Sequence, residues 1–426
     1  MSGVAYRAGG LHVDDVALAE LARAVPTPFY AYSATAMRAR LRSLRSAFHD
    51  LPVRLFFAVK ANSNLAVLRT LHAAGAGMEV VSGGEIRRAI AAGVPGSAIV
   101  YAGVAKSEAE IRLALTVGVA QLNVESVPEL ERIARVATEL GCVAPIALRI
   151  NPDVAAATHD KIATGRKGDK FGIAASAAGG VYARAACLPG LRPVGLHMHI
   201  GSQITDRASF AAAYARGAAL FRELRGQGMA LHRLDLGGGF GVRYMEESPL
   251  SPAQLAGLIR ECCADLDAEI WLEPGRYLVA EAGVLVTSVI YVKDTDERRF
   301  VIVDAGMHTL LRPALYGAQH AVLPVRAVPG AAAQPADIVG PICESSDVIA
   351  RNRPLPPLAE GDLLAIATAG AYGAVMASTY NSFPSVAEVL VDGPRWAVVK
   401  PRREPEAQFA DEVIPDWLRT TAPRSG

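Results

Sequence analysis

The chain has 426 residues, 51% hydrophobic and 20% charged, which supplies a large core and excludes a disordered chain. A formal net charge of +1, with the charges scattered rather than blocked, leaves no footprint for nucleic acid or an anionic membrane surface, so small molecules and other copies of the chain are the expected partners. The opening MSGVAYRAGGLHVDD lacks a basic segment followed by an apolar one, and no window approaches the ~18 apolar residues of a membrane span, so a cytoplasmic protein is expected.

In chain order, GGLHVDDV and PFYAYS read as strands ahead of a long alternating region. There, eight short apolar strands follow one another: LFFAV (55–59), MEVVS (78–82), AIVYAG (98–103), AQLNVE (120–125), PIALRIN (145–151), VGLHMHIG (194–201), RLDLGGG (233–239) and EIWLEPG (269–275). Helical stretches such as SEAEIRLALTVG and SVPELERIARVATELG lie between them, opened by the cap pairs Ser107 with Glu110 and Ser126 with Glu129. Eight such alternations predict an α/β fold, a TIM (β/α)8 barrel over residues 35–280; an open doubly wound sheet is the alternative. Residues 152–193 are longer than a simple βα unit needs, and their ATGRKGDKFG centre predicts an extended loop at the barrel mouth. Beyond about Gly283 the pattern changes to strands with tight turns, as in VLVTSVIYVKDTDERRFVIVDAG. Residues 281–426 therefore predict a second, mostly β domain, completed by residues 1–34.

In a TIM barrel the chemistry sits at the C-terminal ends of the strands. Lys60 ends the first strand, HMHIGS with His199 and Ser202 ends the sixth, Gly237, Gly238 and Gly239 end the seventh, and EPGR with Glu273, Pro274, Gly275 and Arg276 ends the eighth. A desolvated lysine there lowers its pKa and becomes a nucleophile, whereas one that snorkels to solvent is only structural. Adjacent glycines let the backbone approach an anion such as phosphate, with Arg276 and Ser202 as further donors; a tight turn or a dinucleotide loop is the other reading. His197 and His199 are two apart and, in a strand, share a side. A metal-dependent hydrolase could use such a pair, but the neighbouring strand ends lack the extra His and Asp that this requires, so no metal site is expected and His199 is read as stacking on a planar ligand. A lysine, an anion cradle, a stacking ring and a strand-end carboxylate suit pyridoxal 5'-phosphate, with Glu273 keeping the pyridine nitrogen protonated. The five cysteines, Cys142, Cys187, Cys262, Cys263 and Cys343, have no CxxC spacing and indicate neither a disulfide framework nor a zinc knuckle.

FFAVKANSN, HMHIGSQ, LDLGGGFGV, EPGR, RPALYG, GPICESSD and GAYGAVMASTYN together resemble, in order and over essentially the whole chain, the fold-type III pyridoxal-phosphate decarboxylases, and among them the branch acting on diaminopimelate. The resemblance implies decarboxylation of meso-2,6-diaminopimelate to L-lysine and CO2, by a homodimer whose active sites are shared. It also implies that Lys60 forms the Schiff base and that His199 stacks on the ring. Ser202, Gly237 to Gly239, Glu273 to Arg276 and Tyr372 would hold the cofactor, and Cys343 of the partner protomer would return the proton. The substrate's second amino-acid end needs partners of both signs: Arg276, Arg312 and Tyr316 for the carboxylate and Glu344 for the ammonium, with Tyr372 also counted among the substrate-binding residues. One departure from the family pattern is His308, where a small polar amide is expected; it leaves the reaction intact.

Overall fold

The computed structural model describes residues 3–153 and 170–419. At the N-terminus β1 (Val4–Arg7), β2 (Gly10–Val13) and β3 (Val16–Ala17) form a small antiparallel meander, followed by β4 (Phe29–Ser33). The alternating region then delivers β5 (Val53–Ala58), β6 (Gly77–Val80), β7 (Ile99–Tyr101), β8 (Gln121–Val124) and β9 (Ala144–Asn151). After the two-residue β10 (Ile173–Ala174) come β11 (Leu191–His197), β12 (Arg233–Asp235) and β13 (Glu269–Leu272). All eight long strands are parallel, each bonded to the next, and β13 pairs back onto β5, which closes the barrel and rules out the open sheet. β10 joins β9 from outside the ring.

Strands end earlier than the apolar runs suggest. β11 stops at His197 and β12 at Asp235, so His199 and the glycine run stand in the loops beyond, not in the ladder. The helices behave as their caps dictate. Ser107 and Glu110 form a full capping box on helix Glu108–Val117, which Gly118 ends in the left-handed conformation. Ser126 likewise caps Val127–Glu139. Glu129, however, turns inward to the buried Lys106 ammonium at 2.6 Å and to the Glu125 N–H at 3.0 Å, because a sealed ammonium needs an anion more than the helix end does. Of the loop expected over 152–193, residues 154–169, and with them most of ATGRKGDKFG, lie outside the described residues. The remainder is not simply loop, since Ala178–Cys187 is a helix.

The second domain is one large, mostly antiparallel sheet. Its strands are β14 (Gly283–Asp294), β15 (Arg299–Val303), β16 (Val322–Pro324), β17 (Gln334–Val339), β18 (Val348–Leu355), β19 (Leu363–Ile366), β20 (Ala387–Asp392) and β21 (Arg395–Lys400). β14 and β15 form the hairpin around DTDE, which the Thr295 N–H closes onto the Arg298 carbonyl at 2.8 Å. β4 inserts between β14 and β20, so both chain ends build this sheet. The segment after Lys60 ties the two units together. Tyr372 N–H donates to Ala61 O at 2.8 Å, Asn62 Nδ2 to Gly370 O at 3.0 Å, and Asn64 Nδ2 to Glu388 at 3.2 Å. Among the described residues, no helix is long and apolar enough to cross a membrane.

Candidate active site

A cavity of about 470 Å³ opens at the C-terminal ends of the barrel strands, beneath the docked β domain. From the barrel it receives Lys60, His199, Ser202, Gly239, Glu273, Gly275 and Arg276; from the β domain come Arg312, Tyr316 and Tyr372. Gly237, Gly238 and Pro274 lie in the same loops without lining it, and neither Cys343 nor Glu344 of this chain reaches it.

Lys60 stands in a single helical turn, Val59–Ala61, directly after β5. Its ammonium meets both oxygens of Glu79, on β6, at 3.0 and 3.2 Å. Burial pulls the amine pKa down, but the negative charges of Glu79 and Glu273 and the Tyr372 hydroxyl outweigh it, so the pKa is raised. The expectation of a depressed lysine pKa is thus corrected: sequence reasoning missed the carboxylate on the neighbouring strand. Its signal was there, a glutamate inside the buried run MEVVS.

Glu273 is buried at the end of β13, with His197 Nε2 at 3.5 Å and Asn123 Nδ2 at 3.5 Å. Burial opposes its charge, yet His197 and the Lys60 ammonium hold the carboxyl at about 2. Asp235 packs against it with the opposite outcome. Burial and the Glu273 charge push Asp235 well up, so this fully buried acid keeps its proton and, of the two, only Glu273 is charged. Asp235 was also missed; it sits in RLDLGGG as a lone acid between buried leucines. His199 lies against this group as a neutral ring, because burial and the cations Arg149 and Lys60 push its pKa well down. Its Nδ1 accepts the Gly238 N–H at 3.2 Å, which places the proton on Nε2.

Within the glycine run, two of the three N–H groups have partners inside the protein. Gly237 N–H is committed to Asp235 Oδ1 at 3.0 Å and Gly238 N–H to His199, leaving Gly239 as the member that lines the cavity. The glycines are required by crowding: a Cβ on Gly238 would sit 2.2 Å from the Glu273 carbonyl oxygen, and Gly237 and Gly239 have φ of 67° and 97°.

Two arginines dominate the rest of the cavity. Arg276 donates to Ser202 Oγ at 3.0 Å and to the Tyr244 hydroxyl, and packs over the Tyr372 ring at 4.7 Å. Arg312, at the start of the short helix Arg312–Tyr316, lies 4.3 Å over the Tyr244 ring. They are 7% and 6% exposed, and among the described residues neither has a carboxylate within ion-pair distance. Arg276 Nε is buried and has no hydrogen-bond partner among the described residues.

Cys343 and Glu344 are exposed on a loop that Asp347 braces by accepting the Met307 and Ile342 N–H groups at 2.6 and 2.7 Å. Glu344 accepts from the Tyr380 hydroxyl and from Ser346 Oγ. His308 does not approach the cavity; it is buried inside the β domain with its ring 4.8 Å from Phe383.

The sequence model of the pyridoxal-dependent decarboxylase pyridoxal binding domain matches residues 34–280. The diaminopimelate decarboxylase of Pseudomonas aeruginosa is 48% identical over 97% of this chain and 99% of its own. The chain belongs to the diaminopimelate decarboxylase family of pyridoxal-dependent decarboxylases. Among solved structures, the Helicobacter pylori diaminopimelate decarboxylase complexed with L-lysine is 40% identical, with a TM-score of 0.89 over 92% of this chain and 98% of that one. The M. jannaschii diaminopimelate decarboxylase, in co-complex with L-lysine, reaches 0.93 at 34% identity over 98% and 100%. The residues of this decarboxylase fit pyridoxal phosphate on their own chemistry. They provide an amine facing the cavity, an ionised buried carboxylate, a neutral imidazole and a buried guanidinium with an unpartnered N–H, as an aldehyde, a pyridinium nitrogen, a flat ring and a phosphate require.

Proposed function

We propose that this protein decarboxylates meso-2,6-diaminopimelate to L-lysine and CO2, the last step of lysine biosynthesis. The observation that carries the reading is the pair of buried guanidiniums that have no carboxylate partner among the described residues. Desolvated charge is costly when uncompensated, so a cavity that buries two cations calls for two anionic groups. A cofactor phosphate at Arg276 and Ser202 accounts for one, and a carboxylate at the far end of the substrate, at Arg312 and Tyr316, accounts for the other. Ornithine lacks that second carboxylate.

When bound, pyridoxal phosphate supplies an electron sink for the reacting carbon. Lys60 would hold it covalently, and Glu79 holds the free amine in place. Glu273 keeps a charge where a pyridine nitrogen needs a proton, Asp235 withholds a second charge from that spot, and His199 offers a neutral face to the ring. Gly239, Gly275 and Tyr372 shape the wall. Cys343 and Glu344 are exposed and do not line the cavity of their own chain, which supports a homodimer in which the β-domain unit, residues 1–34 and 281–426, completes the partner's barrel, residues 35–280. There Cys343 returns the proton and Glu344 takes the distal ammonium.

Steady-state turnover of diaminopimelate, ornithine and arginine tests the reading. Efficient turnover of diaminopimelate alone is expected, and Arg312→Ala should raise its KM tenfold or more, since hydrogen bonds to charged groups are worth about 1.5–3 kcal/mol. Comparable turnover of ornithine, or an unchanged KM in Arg312→Ala, would overturn it.

A further inference from the structure

Arg312 faces two conflicting demands. It must be held still inside the protein, yet a carboxylate that held it would cancel the charge it presents to the cavity. What holds it is His320. Arg312 Nη1 lies 2.7 Å from His320 Nε2, and since a guanidinium can only donate, Nε2 is the acceptor. The far side of the imidazole fixes that tautomer, with Nδ1–H donating to the Ala367 carbonyl at 2.8 Å, just past β19. Tyr244 completes the clamp. Its ring lies under the Arg312 guanidinium at 4.3 Å and meets the His320 ring nearly edge-on, 5.2 Å between centroids at 80°, while its hydroxyl accepts from Arg276. His320 is fully buried, and burial with the adjacent Arg312 pushes the imidazole down to about 3, so it stays uncharged.

We propose that His320 is a positioning residue for substrate selection: its neutral imidazole aims Arg312 into the cavity without cancelling its charge, leaving the guanidinium free for the distal carboxylate of a diamino dicarboxylic acid. The inference rests on the reading of Arg312 given above. It assigns the work to hydrogen-bond acceptance without charge, so substitutions that separate the two properties test it.

Three variants of the cofactor-loaded protein make that separation: His320→Leu removes the acceptor, His320→Gln keeps a neutral acceptor, and His320→Glu keeps the acceptor but adds the cancelling charge. Calorimetric binding of pimelate, the dicarboxylate with diaminopimelate's carbon chain, is measured beside kcat and KM, with cofactor absorbance reporting that the barrel site is intact. For His320→Leu, pimelate affinity should fall and KM rise about tenfold, with kcat within about twofold. His320→Gln should recover most of both, and His320→Glu should bind pimelate as poorly as Leu. Equal binding by the Glu and Gln variants, or wild-type binding by Leu, would overturn the proposal. If Leu does not fold, the Gln and Glu pair decides alone, and if Glu does not fold, Leu against Gln decides. Arg312→Ala separates the two readings. If it weakens pimelate while His320→Leu does not, only the role of His320 falls; if Arg312→Ala leaves pimelate binding unchanged, the distal-carboxylate reading falls and takes this one with it.

Discussion

His308 illustrates how a single buried side chain writes itself into the pH response. Burial against Phe383 pushes its imidazole down to about 4 from an ordinary 6.5, and its Nδ1 has no partner. Between those values the unfolded chain binds a proton that the folded chain refuses, so stability rises with pH across the window and is lost as pH falls from 6.5 toward 4. One such site contributes at most about 3 kcal/mol to that loss. His320 and His199, both depressed, act in the same direction. His308→Asn should therefore give a shallower, though not flat, fall in urea midpoint between pH 6.5 and pH 4 than the parent chain; parallel curves would refute the assignment. The residue was conspicuous in the sequence, but its neighbour Phe383 lies 75 positions away, so only the fold could move it from the substrate's surroundings into the core.

At the scale of the elements, two glutamates in equivalent positions do different work. Glu110 and Glu129 each follow a capping serine by three residues, yet Glu110 bonds back to the Ser107 N–H at 3.0 Å whereas Glu129 pairs with buried Lys106. Ser107→Ala should then cost about 1 kcal/mol, the usual price of a lost cap. Glu129→Ala should cost about 3–5 kcal/mol, because it strands an ammonium in the interior. Thermal or urea unfolding of the two variants checks this, and equal losses would mean that the Lys106 pair is not what Glu129 supplies. The cap motif is local and legible in either case. Which way the N3 carboxylate turns depends on a lysine in the preceding βα unit, and no spacing rule carries that information.

For the whole molecule, the exposed position of Cys343 and Glu344 makes an oligomer prediction quantitative. Lys60→Ala and Cys343→Ala homodimers should both be nearly inactive. Refolding or co-expressing the two together at equal amounts should restore up to about a quarter of parental activity, since half the dimers are mixed and each mixed dimer has one site with both groups intact. Assay of the mixture, with sizing to establish that dimers form, checks this. No recovery from mixed dimers, or full activity in Cys343→Ala, would refute a shared site.

The sequence by itself determined the barrel, the discontinuous β domain and the approximate mouth of the site, because strand and helix periodicity and strand-end position are local properties repeated eight times along the chain. It also marked Lys60, Glu273, Arg276, Arg312 and Tyr372, which the fold brings to one cavity. Only the tertiary structure decided the charge state of that cavity. Glu79 raises the Lys60 pKa from the next strand, Asp235 and Glu273 divide one proton between them, and His320 restrains Arg312 without neutralising it. Such effects follow from burial and from separations of a few ångströms between residues distant in sequence, and electrostatic energy in a desolvated site depends on those distances rather than on residue identity alone.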